Sequence, residues 1–302
     1  MAIVAAVQAT PVFLDRSATT DRACELVKQA AAAGAELILF PESFIPAYPD
    51  WVWRLPAWSD SHYTSLLRDQ AVDVPGPTTD RLGEAAREAG AYVAIGMSER
   101  DGGTLYNTLL YLGPDGSIIG RHRKLQATGG ERSIWGSGDG SGLEVIATPF
   151  GVVGGLICWE NYMPLARAAM YARGIDILLA PTWDNSPVWV PTLQHIAKEG
   201  RVYVIGVSPF LQSDHVPEQL RGGVYRKSGD WMSRGNATVV GPDGEVVAGP
   251  LIGEEGILYA DVDLDAVRRA RHEFDPVGHY ARSDVFTLHV NTRPQRGVTF
   301  DG

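Results

Sequence analysis

Gly151-Val-Val-Gly-Gly-Leu-Ile-Cys-Trp-Glu-Asn-Tyr-Met-Pro164 starts as a short apolar run, passes a cysteine and reaches a proline that can open a helix. A strand running into a turn and then a helix is the unit of an α/β fold. Cys158 sits at the turn, where a side chain projects from the carboxyl end of a sheet. Downstream, Pro164–Arg173 reads as a helix, Ile175–Ala180 as a strand, Thr192–Arg201 as a helix and Val202–Val207 as a strand.

Upstream, Ile3–Gln8 reads as a strand, and Ser17–Ala33 as a helix ended by Gly34. The apolar run Glu36–Phe40, stopped by Pro41, is a buried strand. Thr79–Ala89 is a helix ended by Gly90, and Ala91–Gly96 the strand that follows. Thr104–Leu112 and Ser117–Arg121 flank the turn Gly113-Pro-Asp-Gly116 and form a hairpin; Gly241-Pro-Asp-Gly244 joins Ala237–Val240 to Glu245–Ala248 in the same way. The paired hairpins hint at a loose internal duplication. Gly129–Gly142 is glycine-rich but stands between the wrong elements for a phosphate-binding loop, and reads as a long surface loop. No Pro/Ser/Gly-rich linker divides the chain, so residues 1–290 are expected to form a single domain, with 291–302 as a C-terminal tail.

Composition narrows the class. The 302 residues are 45% hydrophobic and 21% charged, which is ordinary globular usage. Net charge is −10, without a basic cluster to track phosphates, so no nucleic-acid partner is expected. The apolar runs fall short of the roughly 20 residues a membrane helix needs, so no membrane association is expected. Met1–Gln8 lacks a basic n-region and reads as a strand, which points to a cytoplasmic protein. Two cysteines, Cys24 and Cys158, supply neither a disulfide framework nor a structural zinc site, and the seven histidines contain no His-x-x-x-His pair.

Five side chains then carry chemical interest. At Cys158, backbone N–H groups and the dipole of the following helix would favour the thiolate; a free cysteine is nonetheless most often a core residue, which is the reading for Cys24. Glu42 follows a buried strand, at another carboxyl edge. Lys124 lies in the basic run Arg121–Leu125, a pattern usually found on solvated faces. Glu131 and Glu160 are further acidic candidates, and His195 has no setting resembling that of a thiol protease. With Walker and dinucleotide fingerprints absent, a thiolate served by a carboxylate and a lysine is the best candidate.

Taken together, Phe40-Pro-Glu-Ser-Phe-Ile-Pro-Ala-Tyr-Pro49, His122-Arg-Lys-Leu125 and Gly155-Leu-Ile-Cys-Trp-Glu-Asn-Tyr-Met-Pro164 resemble the Glu, Lys and Cys motifs of the nitrilase superfamily, in the same order. The likeness continues through Glu131-Arg132, Gly138-Asp-Gly140, Ala180-Pro-Thr-Trp-Asp184 and Gly278-His-Tyr280, and the cysteine context resembles the true nitrilase branch. Gln126-Ala127-Thr128 departs from the pattern, since many relatives carry a proline before the threonine. The resemblance implies an α/β fold, a four-layer α-β-β-α sandwich. It implies that Cys158 is the nucleophile, Glu42 the general base and Lys124 the electrostatic stabiliser, with Glu131 positioning Lys124 and substrate. It further implies hydrolysis of a nitrile to acid and ammonia without metal or other cofactor, in a homodimer or larger homo-oligomer. Amidase or cyanide hydratase activity, or a catalytically silent assembly protein, are the alternatives. Candidate subunit contacts are Pro164–Arg173 and Gly278–Val290. Eight tryptophans, several near motif ends, suggest an aromatic-lined pocket with Tyr48, Trp159 and Trp183 on the substrate and a preference for aromatic or arylaliphatic nitriles.

Overall fold

The computed structural model describes residues 1–295, so residues 296–302 of the expected tail lie outside it. The first half of the chain runs β1 (Ala2–Gln8), α1 (Arg16–Ala32), β2 (Ala35–Leu39), α2 (Ser61–Gln70), β3 (Val72–Asp73), α3 (Pro77–Ala89) and β4 (Tyr92–Asp101). The hairpin β5 (Thr104–Leu112) and β6 (Ile118–Arg123) follows, then β7 (Trp135–Gly136). The second half runs β8 (Ile146–Thr148), β9 (Gly151–Gly155), α4 (Pro164–Ala172), β10 (Ile177–Pro181), α5 (Trp189–Gly200) and β11 (Tyr203–Val207). Next come β12 (Phe210–Gln212), α6 (Glu218–Arg221), β13 (Trp231–Arg234), β14 (Ala237–Val240), β15 (Val246–Leu251), β16 (Gly256–Val262) and α7 (Leu264–Glu273).

Two sheets result. One has the order β16-β1-β2-β4-β5-β6, with β3 on β4 and β7 on β5; the other is β15-β14-β11-β10-β9-β8. Side-chain alternation shows how they stack, because neighbouring residues of a strand face opposite sides. In β1, Ala2, Val4 and Ala6 join a core shared with Ile177 and Leu179 of β10 and with Ile205 and Val207 of β11. Ala5 and Val7 face the other way, against Ala23 and Val27 of α1 and Leu82 and Ala86 of α3. Leu178 and Ala180 of β10 turn instead toward Met170 of α4 and Leu193 of α5. The layers are therefore α1/α3, first sheet, second sheet, α4/α5, a four-layer α-β-β-α sandwich.

Both Gly-Pro-Asp-Gly turns close hairpins, as their residues demand. Gly116 and Gly244 take φ of 84° and 89°, a region that costs glycine nothing. Gly113 N–H donates to Ser117 O at 2.9 Å, and Gly241 N–H to Glu245 O at 2.8 Å. Each hairpin also lies beside a parallel pair, β2/β4 in one sheet and β10/β11 in the other. The Gly129–Gly142 stretch differs from a surface loop. Glu131 and Trp135 within it are buried, because its first turn faces the cluster described below. Cys24 is half-buried on α1, with its sulfur 3.7 Å from Arg81 O, rather than a full core residue.

Candidate active site

Three strand ends deliver the singled-out residues to one place. Glu42 follows β2, and the chain there turns so close to β4 that a Cβ on Gly96 would sit 2.2 Å from Pro41 O. Only glycine permits that approach. Lys124 follows β6, its N–H donating to Asn107 O at 2.8 Å. Cys158 follows β9, where Gly154 and Gly155 let α4 and the first sheet pack close: added Cβ atoms would meet Met170 Cε at 2.3 Å and Tyr111 Oη at 2.6 Å. Cys158 itself has φ of 53°, an αL backbone that is uncommon for a residue with a Cβ.

Glu42, Lys124, Glu131 and Cys158 are all buried. Lys124 Nζ donates to Glu42 Oε1 at 2.7 Å and to Glu131 Oε2 at 2.8 Å. Asn107 Nδ2 also donates to Glu42 Oε1, at 2.7 Å, and the Trp183 backbone N–H to Glu42 Oε2 at 2.6 Å. Glu131 also accepts the Thr128 N–H on Oε2 at 2.7 Å, and its other oxygen, Oε1, accepts Tyr48 Oη at 2.6 Å. Thr182 Oγ1 lies 3.2 Å from Cys158 Sγ.

Burial raises the Glu42 carboxyl above the ordinary range, against the opposing pull of Lys124. Lys124 loses solvation too, yet Glu42, Cys158 and Glu131 hold its ammonium well above the ordinary value. The Cys158 thiol is pushed up by burial and by the Glu42 carboxylate, with Lys124 pulling the other way. The thiolate expected from a helix dipole is thus not the resting form. α4 begins only at Pro164, and a 3-10 turn over Cys158–Tyr162 separates its first turn from the sulfur. That turn leaves the Cys158 and Trp159 N–H groups without intrahelical acceptors.

Glu160 has a separate position. Its carboxylate accepts the N–H of Leu125 and of Ile157, both at 2.6 Å, and meets His122 Nε2 at 2.9 Å. One buried side chain therefore ties the residue after Lys124 to the residue before Cys158. His122 Nδ1 lies 2.9 Å from Gly142 O, and although burial opposes the charged ring, Glu160 holds the His122 pKa above its ordinary value.

A cleft of about 480 Å³ opens onto Cys158 and Glu131, lined also by Tyr48, Asp50, Trp53, Trp159, Trp183 and Asp184. Tyr48 and Trp183 stack with ring centroids 4.2 Å apart and planes 6° off parallel. Trp53 Nε1 donates to Tyr48 Oη at 3.0 Å, and Trp159, half exposed, donates from Nε1 to Asp184 Oδ2 at 2.9 Å. Trp51 lies in the core, bonded to Asp60 at 3.1 Å, and Trp58 is exposed on a loop. His195 stands on the outer face of α5 beside Glu199, remote from this cluster's bonds. Sequence reasoning missed Asn107, Thr128 and Thr182 as partners of the charged groups; Thr128 and Thr182 lay in quoted segments, Asn107 only within a strand. Among the described residues, no group of three His, Cys, Asp or Glu could hold a metal ion, and no helix is long and apolar enough to cross a membrane.

Comparison with known proteins places these features in context. The profile of the carbon-nitrogen hydrolase family matches residues 3–272. An aliphatic nitrilase of Sinorhizobium fredii (strain HH103) is 46% identical over 301 residues, covering 97% of each chain. A bifunctional nitrilase/nitrile hydratase of Lupinus angustifolius is 41% identical, covering 97% of this chain and 87% of the relative. Among solved structures, a carbon-nitrogen hydrolase from Helicobacter pylori G27 superposes with a TM-score of 0.75 at 22% identity, covering 94% of this chain and 96% of that one.

Proposed function

The chain belongs to the carbon-nitrogen hydrolase family, and from that premise we propose that it is a nitrilase whose working groups are Cys158, Glu42, Lys124 and Glu131. The observation that carries the reading is the buried Lys124 held between Glu42 and Glu131 in the cleft that opens on Cys158. A nitrile carbon is a modest electrophile, and sulfur attacks it better than oxygen does. Glu42, made more basic by burial, takes the thiol proton as sulfur adds, so no free thiolate has to persist in a buried site. The proton passes to the nitrogen, giving a thioimidate. Water deprotonated by Glu42 adds to that carbon. C–N rupture then releases ammonia and leaves a thioester, which a second water opens to the acid. Lys124 has three N–H donors and spends two on Glu42 and Glu131. The third, with the Trp159 N–H, supplies stabilisation of developing negative charge worth about 3 kcal/mol per donor.

The substrate is proposed to be an aromatic or arylaliphatic nitrile. Tyr48 and Trp183 present stacked rings, the Tyr48 hydroxyl being already bonded to Glu131 and Trp53, and Trp53 and Trp159 widen the apolar wall. Asp184 in the same cleft disfavours anionic substrates, whereas the Asp50 charge is offset by its ion pair with Arg54. Each buried methylene contributes about 0.8 kcal/mol, so kcat/KM should climb from acetonitrile to phenyl-bearing nitriles. Ammonia release with product acid quantified, on paired nitriles and amides, checks both claims. Faster turnover of the amides, or formamide made from cyanide, overturns the nitrilase reading. A flat series overturns only the aromatic pocket and would match the name of the Sinorhizobium fredii relative.

The reaction is proposed to occur in a single domain of residues 1–290 in the cytoplasm, where a catalytic thiol stays reduced. Pairing of β1 with β16 ties the two ends of that domain together. The working unit is proposed to be a homodimer or larger. Tyr162, Met163, Leu165 and Val188 leave apolar side chains exposed beside α4 and α5, and Val285 and Phe286 do so on the C-terminal stretch. Light scattering at micromolar concentration should give at least twice the 32.6 kDa chain mass; a single chain mass refutes the dimer.

A further inference from the structure

Thr182 follows the last buried residues of β10, is itself fully buried, and stands beside the nucleophile. Its Oγ1 lies 3.2 Å from Cys158 Sγ. The same oxygen accepts the Asp184 backbone N–H at 2.9 Å, and the Thr182 N–H is spent on Val207 O. A hydroxyl has one proton and two lone pairs. With an N–H aimed at the oxygen, its proton is left for the sulfur once Cys158 has lost its own. Asp184 cannot drift from this arrangement: its carbonyl accepts Asn236 Nδ2 at 2.7 Å and its carboxylate accepts Trp159 Nε1.

We propose that Thr182 is a further catalytic residue, donating a hydrogen bond to Cys158 Sγ whenever the sulfur carries negative charge and so setting how readily the C–S bond breaks. The proposal rests on the nitrilase reading for its consequence, though not for the hydrogen bond itself. After water adds to the thioimidate, the tetrahedral carbon bears sulfur, a hydroxyl and an amino group. If Glu42 in its acid form protonates the amino group, the C–N bond breaks, ammonia leaves and the thioester forms. If Glu42 as carboxylate takes the hydroxyl proton, C=O forms, the C–S electron pair returns to sulfur, and the amide leaves. The Thr182 hydroxyl stabilises the thiolate departing in the second branch, and again in the final hydrolysis of the thioester. It therefore speeds acid release while permitting a measurable share of amide.

The test uses the full-length Thr182→Val, Thr182→Ala and Thr182→Ser variants. The first readout is the second-order rate of Cys158 alkylation by iodoacetamide at fixed pH, which needs no nitrile. Losing one charge-assisted hydrogen bond raises the thiol midpoint by about one to two pH units, partly offset by a more nucleophilic thiolate, so alkylation of the valine and alanine variants should slow about three- to fifteen-fold. Thr182→Ser should stay within about twofold of the parent, since it keeps both the donor and the acceptor for Asp184. The second readout is product distribution. The amide fraction and kcat should fall together in the valine and alanine variants while KM holds, whereas a wall merely displaced would move KM. Parental alkylation rates in both variants overturn the proposal, as does a rise in the amide fraction. Slowed alkylation in a protein inert toward nitriles would refute the nitrilase reading and leave the hydrogen bond standing.

Discussion

Cys158→Ala is expected to abolish ammonia release from every nitrile, with the melting transition preserved, because no other thiol lines the cleft. Cys24→Ala should be kinetically silent, its sulfur being on α1. Glu42→Gln should lower kcat by about two to four orders of magnitude, the span usual for a positioned general base. Lys124→Ala should cost as much in rate and also destabilise the fold, since it leaves Glu42 and Glu131 buried without their shared cation. Because burial raises the Glu42 carboxyl, the acid limb of the kcat/KM profile should lie above the ordinary glutamate value of about 4.3. Iodoacetamide mapping that found Cys24 modified with loss of activity while Cys158 stayed free would refute the assignment of the nucleophile.

The second large effect is expected at Glu160. Removing its carboxylate in Glu160→Ala strands two buried N–H groups and the His122 ring, a loss of about 3 to 5 kcal/mol measurable from the urea midpoint. The pH dependence has a definite sign. Glu160 raises the folded His122 pKa above the unfolded one, so the pair's contribution is complete below about pH 6.5 and is lost as pH rises through the folded value. The parent should therefore lose stability over that window and Glu160→Ala should not. Equal slopes in the two proteins would mean that the pair is not ionic. Glu160→Gln should fall between them in stability.

How far the sequence alone reached depends on the range of the interactions concerned. β1, β10 and the two Gly-Pro-Asp-Gly hairpins were legible because alternation and turn chemistry are local. Helix ends shifted by up to three residues, as for α5, which starts at Trp189 rather than Thr192. The short pair β12 and β13 carried no signal of its own. β16 is only half-buried, and its partner β1 lies some 250 residues away. In the site, Glu42, Lys124 and Cys158 were visible as motifs, and the structure brings them together with Glu131. The bonds of Asn107 to Glu42 and of Tyr48 to Glu131 arise where distant segments meet, so nothing local announced them. The thiol's protonation state was misjudged for a related reason: burial, a tertiary property, outweighs a helix end several residues away.

The place of β1 in its sheet has a consequence for how the polypeptide is made. β1 lies between β2 and β16, in antiparallel register from Ala2 opposite Val262 to Gln8 opposite Gly256. A ribosome that has not yet passed residue 262 displays a strand whose residues are almost all destined for the interior, with one edge unpaired. Such an edge is a template for association with other chains. β1 thus emerges some 250 residues before β16 can cover it, so a stalled or prematurely terminated product is a client for chaperones, and native assembly requires closure of a long loop between the two strands.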